Sequence, residues 1–394
     1  MCGLFAAFCL NGPLGDVERF EQATQRVSHR GPDSTGTFSD ETCFLGHTRL
    51  AILGLEASSN QPFTFDGLTL IFNGEIFNYL ELRDELVGHG YRFTTGSDTE
   101  VVVKAFHYWG VDCFSRFNGM WALAIYNSRE RSLLVCRDRF GQKPLFTCAQ
   151  GEHVLLASEF HQLASFCSRQ VNYSAIATFL REGPFDTGGQ TFFQGIEEFP
   201  KAHYSIITTG TAPRIVRYWN YWEGPVSAAT EDDFNEFEHL LNDAVRVRLR
   251  TDVPYSIMLS GGVDSTIIGA LARKHEGKNK SIKAFTYSAH DHFDESEYAL
   301  EIARELNFEI TTRSQSQCPE EYISRLSNLV FHMGRGHSSP AIVSLDCLQE
   351  AVHDCGVKIA IDGQGSDELL AGYPTYFPTL ALELVSKLEV RQLG

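Results

Sequence analysis

The sequence has no Cys-x-x-Cys pair, no apolar stretch near the 18 or so residues of a membrane span, and too few basic side chains to balance its acidic ones. Each shortage excludes something. Ten cysteines scattered over 394 residues without close pairs argue against both a zinc site and a disulfide scaffold. The start, Met1 to Phe8, is apolar but has no basic n-region, so neither a secretory leader nor a membrane anchor is expected, and the chain reads as reduced, soluble and cytoplasmic. With 33 basic against 50 acidic side chains the formal net charge is −17, which repels nucleic-acid backbones and anionic membranes. A small phosphate ligand stays open, because backbone N–H groups at a helix N-terminus hold it whatever the net charge.

What is present is an ordinary globular composition, 43% apolar, 12% aromatic and 21% charged, on a chain long enough for two domains. Up to about Ser168 short apolar runs such as Leu68–Phe72, Ala122–Tyr126 and Ser132–Cys136 are separated by turn residues and read as strands. Helical spacing appears at Tyr79–His89 and Thr99–Trp109, which makes this half α+β. Residues 183–230 carry Gly183-Pro184, Gly188-Gly189, Pro200, Pro213 and Pro225 and read as a linker region. After a helix through Phe234, Leu241 and Leu249, the order becomes regular. Strand-like Tyr255–Leu259, Lys283–Tyr287, Phe308–Thr312 and Lys358–Ile361 alternate with helix-like Glu295–Leu306 and Ala341–Cys355, as in a doubly wound parallel sheet.

Two glycine-rich loops follow predicted strands. Ser260-Gly261-Gly262-Val263-Asp264-Ser265 stands where a strand turns into a helix, so its small residues can bring several N–H groups onto a phosphate. It lacks a Walker Gly-Lys-Ser/Thr, and an ordinary glycine turn is the plain alternative. Asp362-Gly363-Gln364-Gly365-Ser366-Asp367-Glu368 is the second, and Asp264 with Asp367 can share a magnesium ion there unless they are merely solvated loop charge. In the first half, removal of Met1 gives Cys2 a free α-amine whose unperturbed pKa of about 7.7–8.0 suits a general base beside its own thiol. Asn73-Gly74 offers an amide and a backbone N–H for an oxyanion hole, although Asn-Gly is equally a hairpin turn. His29 and His47 are assigned no role, and Cys9 and Cys43 are taken as core thiols.

Cys2-Gly3, Arg30-Gly31-Pro32-Asp33, Arg49-Leu50-Ala51-Ile52, Asn73-Gly74-Glu75-Ile76-Phe77-Asn78 and Gly96-Ser97-Asp98-Thr99-Glu100 occur in that order. Arg137-Asp138-Arg139-Phe140-Gly141, Lys143-Pro144-Leu145 and Ala157-Ser158-Glu159 follow. Through these motifs the N-terminal half resembles the class II glutamine amidotransferase domain of glutamine-hydrolysing asparagine synthetases. The second half resembles the matching synthetase domain, through the loops at 260–265 and 362–368 and through Gly372-Tyr373. The resemblance implies an α+β N-terminal-nucleophile sandwich at 2–190, a linker region at 191–230 and an α/β parallel-sheet nucleotide-binding domain at 231–394. It makes Cys2 the nucleophile and Asn73 with Gly74 the oxyanion hole. Glutamine binding falls to Arg49 for the carboxylate, Glu75 and Asp98 for the ammonium, and Leu50, Ile52 and Leu53 for the pocket wall. ATP binding falls to Leu259, Ser260, Gly261, Gly262, Asp264, Ser265, Tyr287, Asp362 and Gly363, with Asp264 and Asp367 on Mg2+.

The family hydrolyses glutamine, passes ammonia through an internal tunnel and makes an acyl-adenylate from ATP, releasing pyrophosphate. Asparagine from aspartate is the expected product. The rivals are amidation of another carboxylate in natural-product or surface-polysaccharide synthesis, and a glutaminase or regulatory relative without synthetase activity. No nucleic acid or membrane partner is expected, and the resemblance suggests a homodimer. Two departures stand out. Gln364 occupies a position that carries glutamate in many asparagine synthetases, and only 21 residues (394 − 373) follow Tyr373 where relatives continue with further helices. The resulting expectation is that this chain hydrolyses glutamine and binds ATP but makes little asparagine without the acceptor half.

Overall fold

Strand Gly3–Cys9 is apolar along its whole length and buried on both faces, because it runs through the middle of a layered stack. In the computed structural model, which describes residues 1–167, 170–183, 188–211, 213–221, 229–289, 294–314, 318–337, 339 and 341–386, its alternate side chains enter different cores. Leu4, Ala6 and Phe8 join Ile71, Ala124, Tyr126 and Val135 between two sheets. Phe5, Ala7 and Cys9 face outward onto helices, against Phe20, Ala23, Phe160 and Leu163.

The two sheets have six strands each. The first runs Ile196–Glu198, Phe146–Gln150, His153–Ala157, Gly3–Cys9, Cys43–Arg49, Ser34–Ser39, and its neighbours are antiparallel. The second runs Arg214–Arg217, His203–Thr208, Ser132–Arg137, Gly119–Asn127, Leu68–Ile76, Phe63–Phe65, again antiparallel. Helices Tyr79–Gly88 and Asp98–Trp109 cover the outer face of the second sheet through Leu82, Leu86, Val102 and Ala105. The result is a helix–sheet–sheet–helix sandwich, α+β as expected.

Three of these strands, Ile196–Glu198, His203–Thr208 and Arg214–Arg217, come from the stretch expected as linker. Ile196–Glu198 and Arg214–Arg217 are short edge strands, and His203–Thr208 lies between Arg214–Arg217 and the distant Ser132–Arg137, which the local sequence does not reveal. Pro184, Pro225 and residues 387–394 lie outside the described residues, the last described helix being Tyr376–Ser386.

One expectation about the cysteines is corrected. Cys148 and Cys167 form a disulfide, 19 positions apart. Strand Phe146–Gln150 and the turn after helix Phe160–Leu163 pack into one outer core, which brings together two thiols that the sequence keeps apart. The other eight cysteines are in no disulfide among the described residues.

The second unit, which takes in residues 253–315 and 344 onward, holds a four-stranded parallel sheet in the order Glu309–Arg313, Lys283–Tyr287, Tyr255–Met258, Ile359–Ile361. Helices Val263–Glu276 and Ser296–Glu305 cover it through Ala272, Ala299 and Ala303, and helix Ala341–Asp354 through Ala351 and Val352. Chain order runs outward from Tyr255–Met258 to one side, then returns to place Ile359–Ile361 on the other. That reversal is a topological switch point, and the loops after the two flanking strands meet beyond their carboxyl ends.

Candidate active sites

In the first unit, pairing of Gly3 with Thr48 sets Cys2 beside the end of strand Cys43–Arg49. There the Cys2 Sγ lies 3.4 Å from the Leu50 N–H nitrogen and 3.7 Å from the Leu50 oxygen. Arg30 Nε donates to the Cys2 carbonyl at 3.0 Å, and Asp33 accepts from Ala51 N–H at 2.7 Å. Between them Gly31 has no alternative, since a Cβ would fall 2.2 Å from the Thr48 carbonyl. The Arg30-Gly31-Pro32-Asp33 motif is therefore a clamp that fixes the Cys2 backbone and the 50–53 segment.

Burial pushes the Cys2 thiol above its ordinary pKa, with the Leu50 backbone, the α-ammonium, Lys143 and Arg49 opposing. The thiol needs a base. Burial lowers the chain's α-ammonium, carried here by Met1, to about 6, with Cys2 raising it and Arg30 and Lys143 lowering it further. The Met1 amine is thus largely unprotonated at neutral pH.

Asn73 lies in strand Leu68–Ile76, 1% exposed, and its Nδ2 has no hydrogen-bond partner. A buried amide donor without an acceptor is costly, so its persistence points to an acceptor that arrives with a ligand. The strand explains Gly74 as well. Its neighbour Phe63–Phe65 pairs only as far as Leu70, which leaves one edge open beyond that residue. On that edge the Phe72 N–H goes to Gln61 Oε1 at 2.6 Å and the Ile76 N–H to Asp98 Oδ2 at 3.0 Å. By strand alternation the Gly74 N–H lies between them on the same edge. A side chain at 74 is impossible, its Cβ falling 2.1 Å from the Met120 carbonyl oxygen. Asn73-Gly74 is mid-strand, paired with Ala122 and Trp121, and not a hairpin turn.

Asp98 starts helix Asp98–Trp109 and is 4% exposed. Burial raises its carboxyl to about 6 against hydrogen bonds from Ile76, Ser97 and Thr99, and no basic side chain pairs with it among the described residues. A ligand ammonium would supply that charge. Glu75 is half-buried and lies within electrostatic reach of Lys143 and the α-ammonium. Arg49 is buried, and its guanidinium donates to the carbonyls of Leu53, Gly54 and Glu56 and to Asn60 Oδ1. Its fork therefore wraps the 53–60 loop. Leu53 is buried beside the half-buried Leu50 and Ile52.

Residue-by-residue reading had left Lys143 without a role. Asp138, fully buried, accepts from the N–H groups of Trp121, Phe140, Gln142 and Lys143. Arg137 holds the carbonyls of Gly141, Lys143 and Phe199. The loop they pin carries a Lys143 only 7% exposed, whose pKa burial lowers while Glu75 and Cys2 raise it. His47 Nε2 meets the Phe72 carbonyl at 3.2 Å, and burial holds its pKa near 3, so it is a neutral tie between strands.

In the second unit, Leu259, Ser260, Asp264, Ser265, Tyr287, Asp362, Gly363, Gln364 and Asp367 line one cavity of about 380 Å³, together with Asp294, Glu295 and Tyr373. Gly261 and Gly262 are not in its wall; Gly261 serves the turn, with φ +84° and Glu295 carbonyl oxygen 2.8 Å from any Cβ. The loop hydroxyls take up its inner N–H groups, Ser265 Oγ accepting from Ser260 and Ser260 Oγ from Gly262. That leaves the first turn of the 14-residue helix Val263–Glu276 to face a ligand. At Gly363 a Cβ would stand 3.0 Å from the Asp264 Cβ and 3.4 Å from the Ser265 nitrogen, so the two loops touch through a glycine. Burial raises the Asp362 carboxyl, and the Gln364 N–H opposes this at 3.1 Å. Five carboxylates and a glycine-lined cradle suit a phosphate brought in with a hard divalent cation.

The first unit is thus an α+β sandwich with the half-buried Cys2 at its start and, in Asn73, a buried amide nitrogen without a hydrogen-bond partner. Residues 1–219 match the model of the glutamine amidotransferase domain family, and the chain belongs to that family. Residues 236–391 match the asparagine synthase family. Asparagine synthetase 1 (glutamine-hydrolyzing) of Bacillus subtilis (strain 168) is 32% identical over 395 residues, covering 97% of this chain and 60% of that protein. Asparagine synthetase 3 (glutamine-hydrolyzing) of the same organism is 29% identical over 403 residues, covering 97% and 65%. The chain thus spans less than two thirds of the length of these relatives. Among solved structures, glutamine phosphoribosylpyrophosphate amidotransferase from B. subtilis, complexed with ADP and GMP, covers 92% of this chain and 91% of that chain at 15% identity and a TM-score of 0.42.

Proposed function

We propose that this chain hydrolyses glutamine at Cys2 and uses the ammonia, at an ATP site in its second unit, to amidate an activated carboxylate, with aspartate as the acceptor and asparagine as the product. The observation that carries the reading is the Nδ2 of Asn73, buried and without an acceptor, beside the open-edge N–H of Gly74. These two donors are the oxyanion hole. Once Met1 is removed, the α-amine of Cys2 takes the thiol proton as Sγ attacks the glutamine amide carbon, and gives it to the departing ammonia. Water then cleaves the thioester to glutamate. Asp98 and Glu75 bind the glutamine ammonium and Leu50, Ile52 and Leu53 the side-chain methylenes, while Arg49 takes the carboxylate by exchanging carbonyl partners of the 53–60 loop for it.

In the second unit Leu259 and Tyr287 bind the nucleoside, and the 260–265 loop with Asp362 and Gly363 its phosphates. Asp264 and Asp367 hold Mg2+, which neutralises phosphate charge when bound. Gln364 stands at the position facing the adenylated acid. The carbon–nitrogen ligase assignment is supported by the two family matches and by the names of the relatives. Glutamine and ATP place the reaction in the cytoplasm, and the family resemblance implies a homodimer, which sedimentation tests. No helix among the described residues is long and apolar enough to cross a membrane.

The deciding experiment uses Cys2→Ala. Glutamine hydrolysis is expected to vanish while any synthesis driven by added ammonia persists. Equal loss of both activities would exclude Cys2 as a dedicated nitrogen-releasing nucleophile. Products are AMP and pyrophosphate on this reading; stoichiometric ADP would refute it.

A further inference from the structure

Two imidazoles from two separate elements converge on one carboxylate away from the Cys2 pocket chemistry. Glu159 follows strand His153–Ala157 and caps helix Phe160–Leu163, with its side chain on the Gln162 N-terminal turn. His29 belongs to the 3-10 turn Ser28–Arg30, and His332 to the last turn of helix Pro319–Met333. His29 Nε2 lies 2.9 Å from Glu159 Oε1 and His332 Nδ1 3.9 Å from Oε2. One ligand atom from each of the three lies within 4.8 Å of the others. All belong to the first unit.

We propose that His29, Glu159 and His332 form a binding site for a divalent transition cation of the zinc type. Two imidazole nitrogens and a carboxylate oxygen are the donor set of a zinc centre, in which bonds of about 2.0–2.2 Å set neighbouring ligand atoms about 3.3 Å apart. His29 Nε2 stands 2.9 Å from Oε1 and His332 Nδ1 3.9 Å from Oε2, and with all three ligand atoms within 4.8 Å of one another small side-chain rotations bring them to that spacing. Arg30 Nη1 donates to Glu159 Oε1 at 3.0 Å, which occupies one oxygen, orients the carboxylate and turns Oε2 toward His332. His161 stands next to the group, its ring 5.8 Å from that of His332, and its Nε2 is buried without a hydrogen-bond partner.

The site has a mechanical consequence. Helix Pro319–Met333 has no fully buried residue, so apolar packing contributes little to holding it. A metal bridging His332 to Glu159 would fasten the end of this helix to the sandwich. Because Glu159 also holds Arg30, whose Nε holds the Cys2 carbonyl, the bound ion would stiffen the nucleophile's support.

The test is equilibrium dialysis of the chelator-stripped full chain against Zn2+, then against Co2+ as a spectroscopic probe, both in excess Mg2+ to fill sites made of oxygen ligands. One equivalent should bind, with the d–d absorption of nitrogen and oxygen ligation and no thiolate-to-cobalt charge transfer. His332→Ala and His29→Gln should each weaken binding by more than about tenfold, the loss that even outer-shell partners cause. His353→Ala, at a histidine whose side chain is 92% exposed, should leave binding unchanged. Absence of uptake, equal uptake by all variants, or uptake explained by a thiolate band would each overturn the proposal.

Discussion

The two units build their sites in opposite ways. Around Cys2 the working groups are buried side chains held by other buried side chains: Asn73, Asp98 and Asp138 are each at most 4% exposed. Around the second cavity the working groups are backbone turns and half-exposed acids, and Val263 at the tip of the phosphate loop is 73% exposed. Acyl transfer needs donors aimed at a charge that exists only in the transition state, and such donors must be fixed beforehand. A nucleotide brings its own charge and cation, so a glycine-lined edge of a parallel sheet is sufficient scaffolding.

If that contrast is real, removing a buried ionic partner in the first unit should cost far more than removing an exposed one elsewhere. Glu100, 1% exposed, accepts from Thr94, Thr95 and Lys104. Glu100→Ala strands the Lys104 ammonium and should lower stability by about 3–5 kcal/mol in denaturant unfolding. Asp243→Ala, which frees an Arg246 that is 43% exposed, should change it by less than about 1 kcal/mol. Similar costs for both would erase the distinction.

Next in size, Asn73→Ala should cut kcat for glutamine hydrolysis by about 10²–10³ with little change in KM, and leave ATP affinity untouched. A KM effect alone would demote Asn73 to a binding residue. Gly363→Ala should act the other way, weakening ATP about tenfold through its contact with Asp264 while glutaminase kcat holds.

The smallest effect is in pH. Asp98 has its pKa raised to about 6 by burial, so it loses its charge, and its hold on an ammonium, as pH falls through 6. KM for glutamine should rise over that range in the parent and be high and flat in Asp98→Asn. The sign for stability is the reverse of an ion-paired carboxylate: the raised pKa costs stability above about 6, and the cost fades as pH falls toward 3.8. Asp98→Asn should therefore be the more stable protein at pH 8 and lose that advantage near pH 4. A parent protein with KM independent of pH between 5 and 7 would show that Asp98 does not carry the ammonium.

The sequence by itself determined the period-two strands through Leu68 and Ala122, the helices that begin at Tyr79 and Asp98, the alternating order after Tyr255 and the two glycine loops, because these depend on neighbours a few positions away. Ordered motifs also carried the positions of Cys2, Asn73 and Asp98. Only the tertiary structure decided that Asn73-Gly74 is a strand with an open edge and not a turn, since that depends on where Phe63–Phe65 stops pairing. It also decided that Cys148 meets Cys167, that the linker stretch completes both sheets, and that Lys143 and the His29–Glu159–His332 group lie where they do. Each of these is a contact between residues far apart in the chain, and local pattern carries no information about which distant partner closes it.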